Sequence, residues 1–400
     1  MAWRNVWRNK MRSVVITLSI AVGLFAGIAV LSLYKGMMKN RVRTVIDAEA
    51  GHLQLHDSNF KKDYEPRYVV INGEAIIQKI LSLPQVKSVA KRSVTNGMLA
   101  TATGSAGVQI LGVIPATEYE TSQLKKKIVE GNEFDTARKN EIMVGKKLAQ
   151  KMKLKKDSKL VLTFTDAGGS IVSGAFRVAA VFQSNNAPLD ERTVYVTMSD
   201  LNSLLTIGNN FHETVVLLKN DDDLPMVQTQ LHRLFPAYHI ESWKDISPET
   251  ELMVKTTNQY SYIIMVIIMF ALAFGIINTM LMAILERTRE IGMMVALGTS
   301  KPRIFSLVLL ETLFLTLAGT PIGILIGWLV TGYFGKHGLD LSGMGREMMS
   351  SFGFGTVIYP EFPVEKITGV MLIVFVTAII SCLFPAIKAL KLQPVEALRR

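Results

Sequence analysis

The chain has 400 residues, of which 49% are hydrophobic and only 19% are charged; 44 basic against 33 acidic side chains give a formal net charge of +11. The charged fraction is below the roughly 25% of a typical soluble protein, and the apolar content excludes a disordered, collagen-like or coiled-coil chain. A single cysteine, Cys382, excludes an intramolecular disulfide scaffold and a cysteine-rich metal centre. The composition indicates very apolar segments combined with a water-soluble part.

Four apolar stretches are each long enough to cross a bilayer as a helix, which takes about 20 residues. They predict transmembrane helices at 13–34, 260–285, 304–334 and 367–387. Before the first stretch, residues 1–12 place Trp3 and Trp7 on one helical face, which predicts an interfacial helix on the cytoplasmic leaflet. The first stretch is longer than a signal-peptide core and lacks a small-x-small cleavage site, so we expect an uncleaved anchor.

Residues 35–259 hold most of the acidic and turn-forming residues and predict a large α+β domain outside the membrane. A strand–helix–strand pattern occurs near both ends of this segment, so we expect one α+β unit built from both ends, with further strands around 98–113. Between them, residues 115–210 predict an inserted β-rich subdomain. The predicted elements are 51–56, 74–83, 86–92, 145–152, 159–164, 170–182, 193–196, 213–219, 222–235 and 238–243.

Two long helices are expected to connect this domain to the membrane. From the predicted N-cap Ser247 to Leu285 the only proline is Pro248, at the start, and the only glycine is Gly275. Such a helix would be roughly 58 Å long at about 1.5 Å per residue. The first span likewise continues through residues 35–49 without proline. Flexible linkers are usually richer in Gly, Ser and Pro, so the sequence favours stiff stalks.

The loop at 286–303 has a pattern of its own. Its charges lie at the start, its apolar residues follow at helical spacing, and Gly298 ends the run before a new N-cap at Ser300. A short helix of this kind fits a membrane surface or a groove in a cytosolic partner. In the span that follows, Glu311 is the single intramembrane ionisable residue, and we expect a structural pairing with Arg287 or Arg303.

Basic residues define the orientation of the four spans. The amino end, the 286–303 loop and the tail at 388–400 each carry four Lys or Arg near a span, whereas the loop at 335–366 carries three. The positive-inside rule therefore places both termini and the 286–303 loop in the cytoplasm. Basic residues directly after the first span argue the other way, but a domain of this size escapes the short-loop rule.

Catalytic signatures are missing from the sequence. It has no Walker-type Gly-x-x-x-x-Gly-Lys-[Ser/Thr] segment, no zincin motif and no Gly-x-Ser-x-Gly elbow, so we expect neither ATP hydrolysis nor a metal site in this chain. His52 and His56 share a strand face without a third ligand, and a packing role is expected for them.

The 286–303 loop resembles the permease family that includes MacB, LolC, LolE and FtsX. The resemblance is carried by Arg287-Thr-Arg-Glu-Ile-Gly292 and Ala296-Leu-Gly298, by Asn9-Lys-Met-Arg-Ser13, by Glu141-Ile-Met-Val-Gly145, and by Pro394-Val-Glu-Ala-Leu-Arg399. One departure is Asp157-Ser158, where the family usually carries a glycine-aspartate turn.

This resemblance implies a dimeric ABC transporter of the mechanotransmission type in the bacterial inner membrane, with a porter-like unit and a β-rich insert in the periplasm. Two permease chains, identical or different, would pair with two copies of a separate cytosolic ATPase, which would bind the ATP and Mg²⁺; no nucleic acid is involved. The loop helix would dock on that ATPase. The docking residues that the resemblance implies are Arg287, Arg289, Glu290, Ile291, Gly292, Met294, Ala296, Leu297 and Gly298.

Length and layout look most like the lipoprotein-releasing members, which deliver lipoproteins to a periplasmic carrier. A cavity between spans one and two of paired chains, lined by Val22, Phe25, Ile267 and Phe270, is then a candidate for the acyl chains; packing against each other or membrane lipid is the alternative. Two other functions stay open. One is a MacB-like efflux or secretion permease with an adaptor and an outer-membrane channel. The other is an FtsX-like scaffold that activates a cell-wall hydrolase.

Overall fold

The structure is a computed structural model that describes residues 10–135, 138–345, 349 and 351–390. The described chain forms two compact units. The helical unit comprises the described parts of 1–38, 254–340 and 357–400, and the mixed unit comprises those of 39–253 and 341–356. The predicted interfacial helix at 1–12 and the tail at 388–400 fall largely outside the described residues.

Helices and strands account for most of the described chain. The helices are α1 Lys10–Val45, α2 Phe60–Asp63, α3 Gly73–Leu81, α4 Pro115–Thr121, α5 Lys146–Lys151, α6 Ala187–Arg192, α7 Met198–Leu205, α8 Leu224–Leu234, α9 Trp243–Ile246, α10 Pro248–Glu286, α11 Thr288–Ala296, α12 Lys301–His337 and α13 Val364–Leu390. The strands are β1 Leu53–Asp57, β2 Val86–Thr101, β3 Gly104–Val113, β4 Ile128–Gly131, β5 Glu141–Gly145, β6 Lys159–Thr165, β7 Ile171–Phe182, β8 Thr193–Thr197, β9 Glu213–Leu218, β10 Tyr238–Ser242, β11 Leu339–Asp340 and β12 Val357–Ile358.

Four of these helices are long and apolar enough to cross a membrane. They are Ser13–Ala50, counted with its last turn, Pro248–Glu286, Lys301–His337 and Val364–Leu390, and each contains one of the predicted spans. The multi-pass membrane character expected from the sequence therefore agrees with the structure.

Small residues allow α12 to pack closely on α1 in the helical unit. Gly319, Gly323 and Gly327 recur every fourth position, and a Cβ at Gly323 would lie 2.8 Å from the Ala21 carbonyl oxygen. Backbones approach in this way where small residues replace bulky ones, and dispersion contacts then stabilise the pair within lipid. The buried threonines of α12 satisfy their hydroxyls locally; Thr316 donates to the Thr312 carbonyl at 2.9 Å.

A ten-stranded mixed sheet runs through the mixed unit. The strand order is β10-β1-β9-β2-β3-β8-β5-β7-β4, and β6 pairs with both β2 and β7. The 16-residue strand β2 changes partner along its length. Its first half pairs with β9 from Val86 to Arg92, and its second half pairs with β6 from Gly97 to Ala100.

The hairpin of β2 and β3 packs against both predicted parts of the mixed unit. Leu99 and Ile110 share an apolar core with Ile142 and Val194 of the predicted insert, and Val94 and Leu111 share another with Phe60. A strand as long as β2 can exchange one partner for another without a break, which period-2 patterning does not reveal. The bounds of the β-rich insert therefore remain a prediction.

Helix α10 is unbroken from Pro248 to Glu286, as the run without proline predicts. Helix α1 runs from Lys10 to Val45 and ends in a π-helical turn at Ile46–Ala50. The last turn is therefore wider than the α-helical turn that the sequence predicts.

Candidate functional site

The predicted docking loop forms helix α11 between two long helices. Gly298 ends it with φ +80°, a conformation that suits glycine, and the Leu297 and Gly298 amides bond back to the carbonyls of Met293 and Val295 at 2.9 and 3.0 Å. Ser300 then precedes α12, and Pro302 lies in its first turn, where no amide is needed. The local sequence thus fixes both the end of α11 and the start of α12.

Helix α11 has one buried face and one exposed face. Ile291 and Gly292 are buried, and Met294 and Val295 pack partly on the helical core. The exposed face carries Arg289, Met293, Ala296 and Leu297, with Leu297 86% exposed. Four of the nine residues implied for docking, Arg289, Ala296, Leu297 and Gly298, are exposed, whereas Glu290 is half-buried.

Met293 is a member of the exposed face that the sequence analysis did not name. It lies four residues after Arg289 and four before Leu297, so helical spacing alone would have placed it on that face. An exposed apolar residue flanked by an arginine is typical of a protein-binding surface.

The buried charge in α12 pairs with the loop. Arg287 Nη1 lies 3.0 Å from both carboxylate oxygens of Glu311, and both residues are more than nine-tenths buried. Of the two arginines considered from sequence, Arg287 is the one in contact. Because Arg287 directly precedes α11, this pair connects the start of α11 to the first third of α12.

The four cavity candidates lie on α1 and α10, which contact each other. Gly23 of α1 faces Leu272 of α10, and Gly27 faces Ile268. Val22, Ile267 and Phe270 are about 60% exposed or more on either side of these contacts, and Phe25 is half-buried. Within one chain these side chains therefore form an exposed apolar strip rather than an enclosed pocket.

Three donors, the buried Arg92 and Tyr195 and the half-buried Lys127, hold the π-helical end of α1 in the mixed unit. Lys127 Nζ donates to the Asp47 carbonyl oxygen at 2.5 Å, the Tyr195 hydroxyl to that of Ala48 at 3.3 Å, and Arg92 Nη1 to that of Glu49 at 2.6 Å. The carbonyls at a helix end have no partner within the helix and carry partial negative charge, so cations there are stabilising. We call these three donors the stalk joint.

An ion pair fixes Arg92 in the stalk joint. Its guanidinium lies 2.6 Å from Glu118 Oε1 and 3.1 Å from Oε2, with both residues fully buried. Burial alone would lower the pKa of Arg92, but the Glu118 carboxylate raises the pKa above its ordinary value. Burial likewise opposes ionisation of Glu118, yet Arg92 lowers its pKa. Both groups are therefore charged and mutually dependent.

Burial also perturbs two further groups near the stalk joint. It lowers the pKa of Lys127 to about 8 and raises the pKa of Asp190 to about 6. Asp190 accepts hydrogen bonds from the Ser184 amide and hydroxyl, which fix the loop before α6. No group of three His, Cys, Asp or Glu side chains among the described residues is arranged to hold a metal ion. His52 and His56 are buried in the sheet; His52 Nε2 lies 2.9 Å from Asp221 Oδ1.

The sequence gives almost no indication of the stalk joint. Arg92 and Glu118 are charged residues in otherwise ordinary strand and helix segments, and their partners are distant in sequence. An arginine on the buried side of an alternating strand is the one pattern that could have indicated Arg92.

Comparison with known proteins identifies the architecture. The sequence matches the model of the MacB-like periplasmic core domain over residues 13–234 and that of the FtsX-like permease C-terminal domain over residues 262–394. These two domains, together with four membrane-length helices, define a multi-pass ABC transporter permease with a periplasmic domain. The chain belongs to the MacB/LolC/FtsX family of such permeases.

Relatives within the family differ in how much of them this chain covers. It is 22% identical to the macrolide export ATP-binding/permease protein MacB of Agrobacterium fabrum, over all of this chain but 60% of that protein. It is 23% identical to the lipoprotein-releasing system transmembrane protein LolC of Neisseria meningitidis, over 98% of this chain and 95% of that one. Among solved structures, the periplasmic region of MacB from Actinobacillus actinomycetemcomitans matches 54% of this chain and 95% of its own at 13% identity, with a TM-score of 0.36.

Proposed function

We propose that this permease is a mechanical relay that extracts lipoproteins from the inner membrane. In this proposal a separate ATPase, present in two copies with ATP and Mg²⁺ bound, pushes on α11, and the push reaches the periplasmic domain through α1 and α10. A second permease chain, identical or different, completes the assembly, and both termini lie in the cytoplasm. The periplasmic domain would comprise a porter-like α+β unit and a β-rich insert.

The exposed face of α11 supports the input end of this relay. Arg289 and Leu297 lie on the side of α11 away from its own chain, while Ile291 on the other side anchors the helix to the helical core. The Arg287–Glu311 pair then ties any displacement of α11 to α12. Since the pair is buried, separating it is costly, and the two elements would move together.

The stalk helices support the output end. Helix α10 is continuous over 39 residues, and the end of α1 is held by the three donors of the stalk joint. A continuous helix resists bending, so a rotation or tilt at one end is passed to the other. The stalk joint would transmit that motion into the sheet through Arg92 of β2 and Tyr195 of β8.

The near full-length match to a lipoprotein-releasing permease, 98% of this chain and 95% of the relative, carries the choice of substrate. Three acyl chains of about 15 methylenes at about 0.8 kcal/mol each give on the order of 36 kcal/mol of burial to overcome, so release needs coupled work. The exposed strip of Val22, Ile267 and Phe270, together with Phe25, would face the second permease chain and accept these acyl chains. A periplasmic carrier would then receive the lipoprotein.

A second candidate is export with an adaptor and an outer-membrane channel, which the full coverage of this chain by a macrolide export protein favours. An FtsX-like scaffold that activates a cell-wall hydrolase is the third. The candidates differ in cargo and periplasmic partner, not in the relay itself.

Depletion followed by membrane fractionation tests the substrate. Loss of this permease should leave lipoproteins in the inner-membrane fraction within a few generations, while an unrelated integral protein stays correctly placed. If lipoproteins reach their normal membrane and an exported small molecule accumulates instead, the second candidate replaces the first. A change in cell-wall hydrolysis alone would favour the scaffold.

Charge reversal on α11 tests the input end. Arg289→Glu and Leu297→Asp should reduce co-purification of the ATPase and nucleotide-dependent transport, while the permease still inserts at its normal level. Arg303→Glu is the matched control, since it reverses an exposed charge at the start of α12, outside the exposed face of α11. Equal ATPase recovery in all three variants would contradict the docking role.

A further inference from the structure

The guanidinium of Arg287 has two buried donors that no described residue uses. Its Nη1 lies 3.0 Å from both carboxylate oxygens of Glu311, whereas Nε and Nη2 have no hydrogen-bond partner among the described residues. These two nitrogens are closed off from solvent, and a buried charged donor without an acceptor costs free energy. An acceptor that can reach Nε and Nη2 would therefore stabilise this part of the helical unit.

Arg92 shows which group this edge of a guanidinium binds. Nε and Nη2 lie side by side and form a planar fork that fits the two oxygens of one carboxylate. In Arg92 the fork holds Glu118, with Nε 3.1 Å from one oxygen and Nη2 2.6 Å from the other. We call the corresponding edge of Arg287, its Nε and Nη2, the Arg287 fork.

The Glu290 carboxylate lies beside the Arg287 fork. Its Oε2 is 3.8 Å from Nε, which is close enough for an ion pair but too far for a hydrogen bond. A glutamate in the first turn of a helix commonly accepts from the backbone amide that precedes the helix. Here the Arg287 amide already donates to the Ile284 carbonyl at 3.1 Å, so the Glu290 carboxylate can serve the guanidinium instead. A shift of about 1 Å would bring it to hydrogen-bond distance of the fork.

Glu290 also reaches the surface of α11. Its side chain is 44% exposed, against 9% for Arg287. A carboxylate has two oxygens that each accept more than one hydrogen bond, so it can accept from Arg287 on its buried side and from a partner on its exposed side. A negative charge on a docking surface favours a partner that presents a positive one.

We propose that Arg287 is a positioning residue, whose fork holds the Glu290 carboxylate in the orientation that meets a lysine or arginine of the ATPase. The role assigned to Arg287 rests on the proposed docking of α11 on a separate ATPase, and it adds the chemistry of one contact. Glu290, Arg287 and Glu311 then form a row of alternating charges from the exposed surface of α11 to the buried side of α12. A force on Glu290 therefore acts on both helices.

The substitution Arg287→Lys separates the fork from the charge. A lysine keeps a positive charge for Glu311 but has no planar fork for Glu290. The full-length permease in detergent should then bind the co-expressed, purified ATPase about fivefold more weakly, which corresponds to about 1 kcal/mol. Arg303→Lys is the matched control, because Arg303 is an exposed arginine at the start of α12, and it should bind like the wild type.

A double-mutant cycle distinguishes positioning from a purely structural role. In the Glu290→Gln background, Arg287→Lys should cost little further affinity, because the carboxylate that it positions is already gone. If Arg287→Lys only loosened α11, the same loss would appear in both backgrounds.

Glu290→Gln alone tests the contact even if Arg287→Lys does not fold, since its side chain is half-exposed. It should weaken ATPase binding about fivefold and reduce the dependence of binding on salt, because one ion pair is lost. Thermal unfolding of each variant verifies that it folds.

Three outcomes would overturn the proposal. Equal losses from Arg287→Lys in both backgrounds would make Arg287 a structural residue only. Tighter ATPase binding by Arg287→Lys would mean that the fork withholds Glu290 from the ATPase. Wild-type affinity in Glu290→Gln would remove the contact.

Failure of the proposed function has a different signature. The wild type itself would then bind no ATPase, and the role of Glu290 towards that partner would fall with it. The same double-mutant cycle, measured by thermal unfolding of the permease alone, would still show whether the Arg287 fork holds Glu290.

Discussion

Replacing Lys127 by methionine tests the stalk joint, because it removes the charge and keeps most of the volume. In the structure Lys127 Nζ donates to the Asp47 carbonyl oxygen at 2.5 Å and to that of Ser122 at 2.6 Å. Burial lowers the pKa of Lys127 from 10.5 to about 8. Burial of the Lys127 charge therefore lowers the stability of the folded chain, whereas its two hydrogen bonds raise it.

At neutral pH the cost of burying the Lys127 charge and the gain from its hydrogen bonds are of similar size. The lowered pKa corresponds to about 3 kcal/mol of cost for burying the charged form. The two hydrogen bonds from a charged donor contribute about 1.5–3 kcal/mol each. Lys127→Met removes the two hydrogen bonds but also removes the cost of burying the charge. At pH 7 its free energy of unfolding should therefore be lower than that of the wild type by no more than about 3 kcal/mol.

The pH dependence separates the two effects. Between pH 8 and 10.5 the unfolded chain keeps the Lys127 proton and the folded chain has lost it, so the wild-type free energy of unfolding rises with pH from this group. The rise is at most about 1.4 kcal/mol per pH unit. Lys127→Met lacks this rise, so the difference in free energy of unfolding between the wild type and the variant should grow by about 3 kcal/mol between pH 8 and 10.5.

Urea unfolding of the full-length chain in detergent, followed by circular dichroism at pH 7 to 10, measures this deficit. Lys126→Met is the control, because Lys126 is exposed and contacts Gln123 at 3.3 Å. Its difference from the wild type should not change with pH. If the deficit of Lys127→Met is the same at every pH, the ammonium is not desolvated and the stalk joint is wrongly described.

Three other substitutions follow from the described contacts. Gly323→Val should separate α12 from α1 and lower the thermal stability of the purified permease, whereas Gly332→Val, at a position with open space around its Cβ, should not. Glu311→Gln should destabilise the protein by about 3–5 kcal/mol because it leaves the buried Arg287 uncompensated, and the double variant Arg287→Met/Glu311→Leu should recover most of the loss in urea unfolding. Burial lowers the pKa of His212 to about 4. As the pH falls from 6.5 to 4, the unfolded chain therefore binds a proton that the folded chain does not, and the free energy of unfolding falls. Circular dichroism should show this loss of stability in the wild type but not in His212→Gln.

The membrane helices follow from sequence because their signals are local. Apolar length places the four spans, and the lack of proline after Pro248 predicts the unbroken α10. Gly298 and Ser300 likewise predict the end of α11 and the start of α12, since caps and left-handed glycines depend on neighbouring residues alone.

The sequence does not predict contacts between residues that are far apart along the chain. It narrows the partner of Glu311 to two arginines but cannot choose between them, because the choice depends on how α12 packs. It misses the stalk joint, since Arg92 and Glu118 meet only through the fold. It divides β2 into separate strands because alternation does not record a change of partner.

The central proposal is that force received at α11 moves the periplasmic domain through the stalk helices. Cys382, the single cysteine, is buried, so spin labels can be placed on a cysteine at the exposed position Lys125 in the purified complex. Electron spin resonance should then show the distance between the labels of the two permease chains changing when ATP is added. A Gly-Gly-Ser-Gly insertion after Thr256 in α10 should abolish that change while ATP is still hydrolysed. An unchanged, ATP-dependent shift in the insertion variant would contradict the relay.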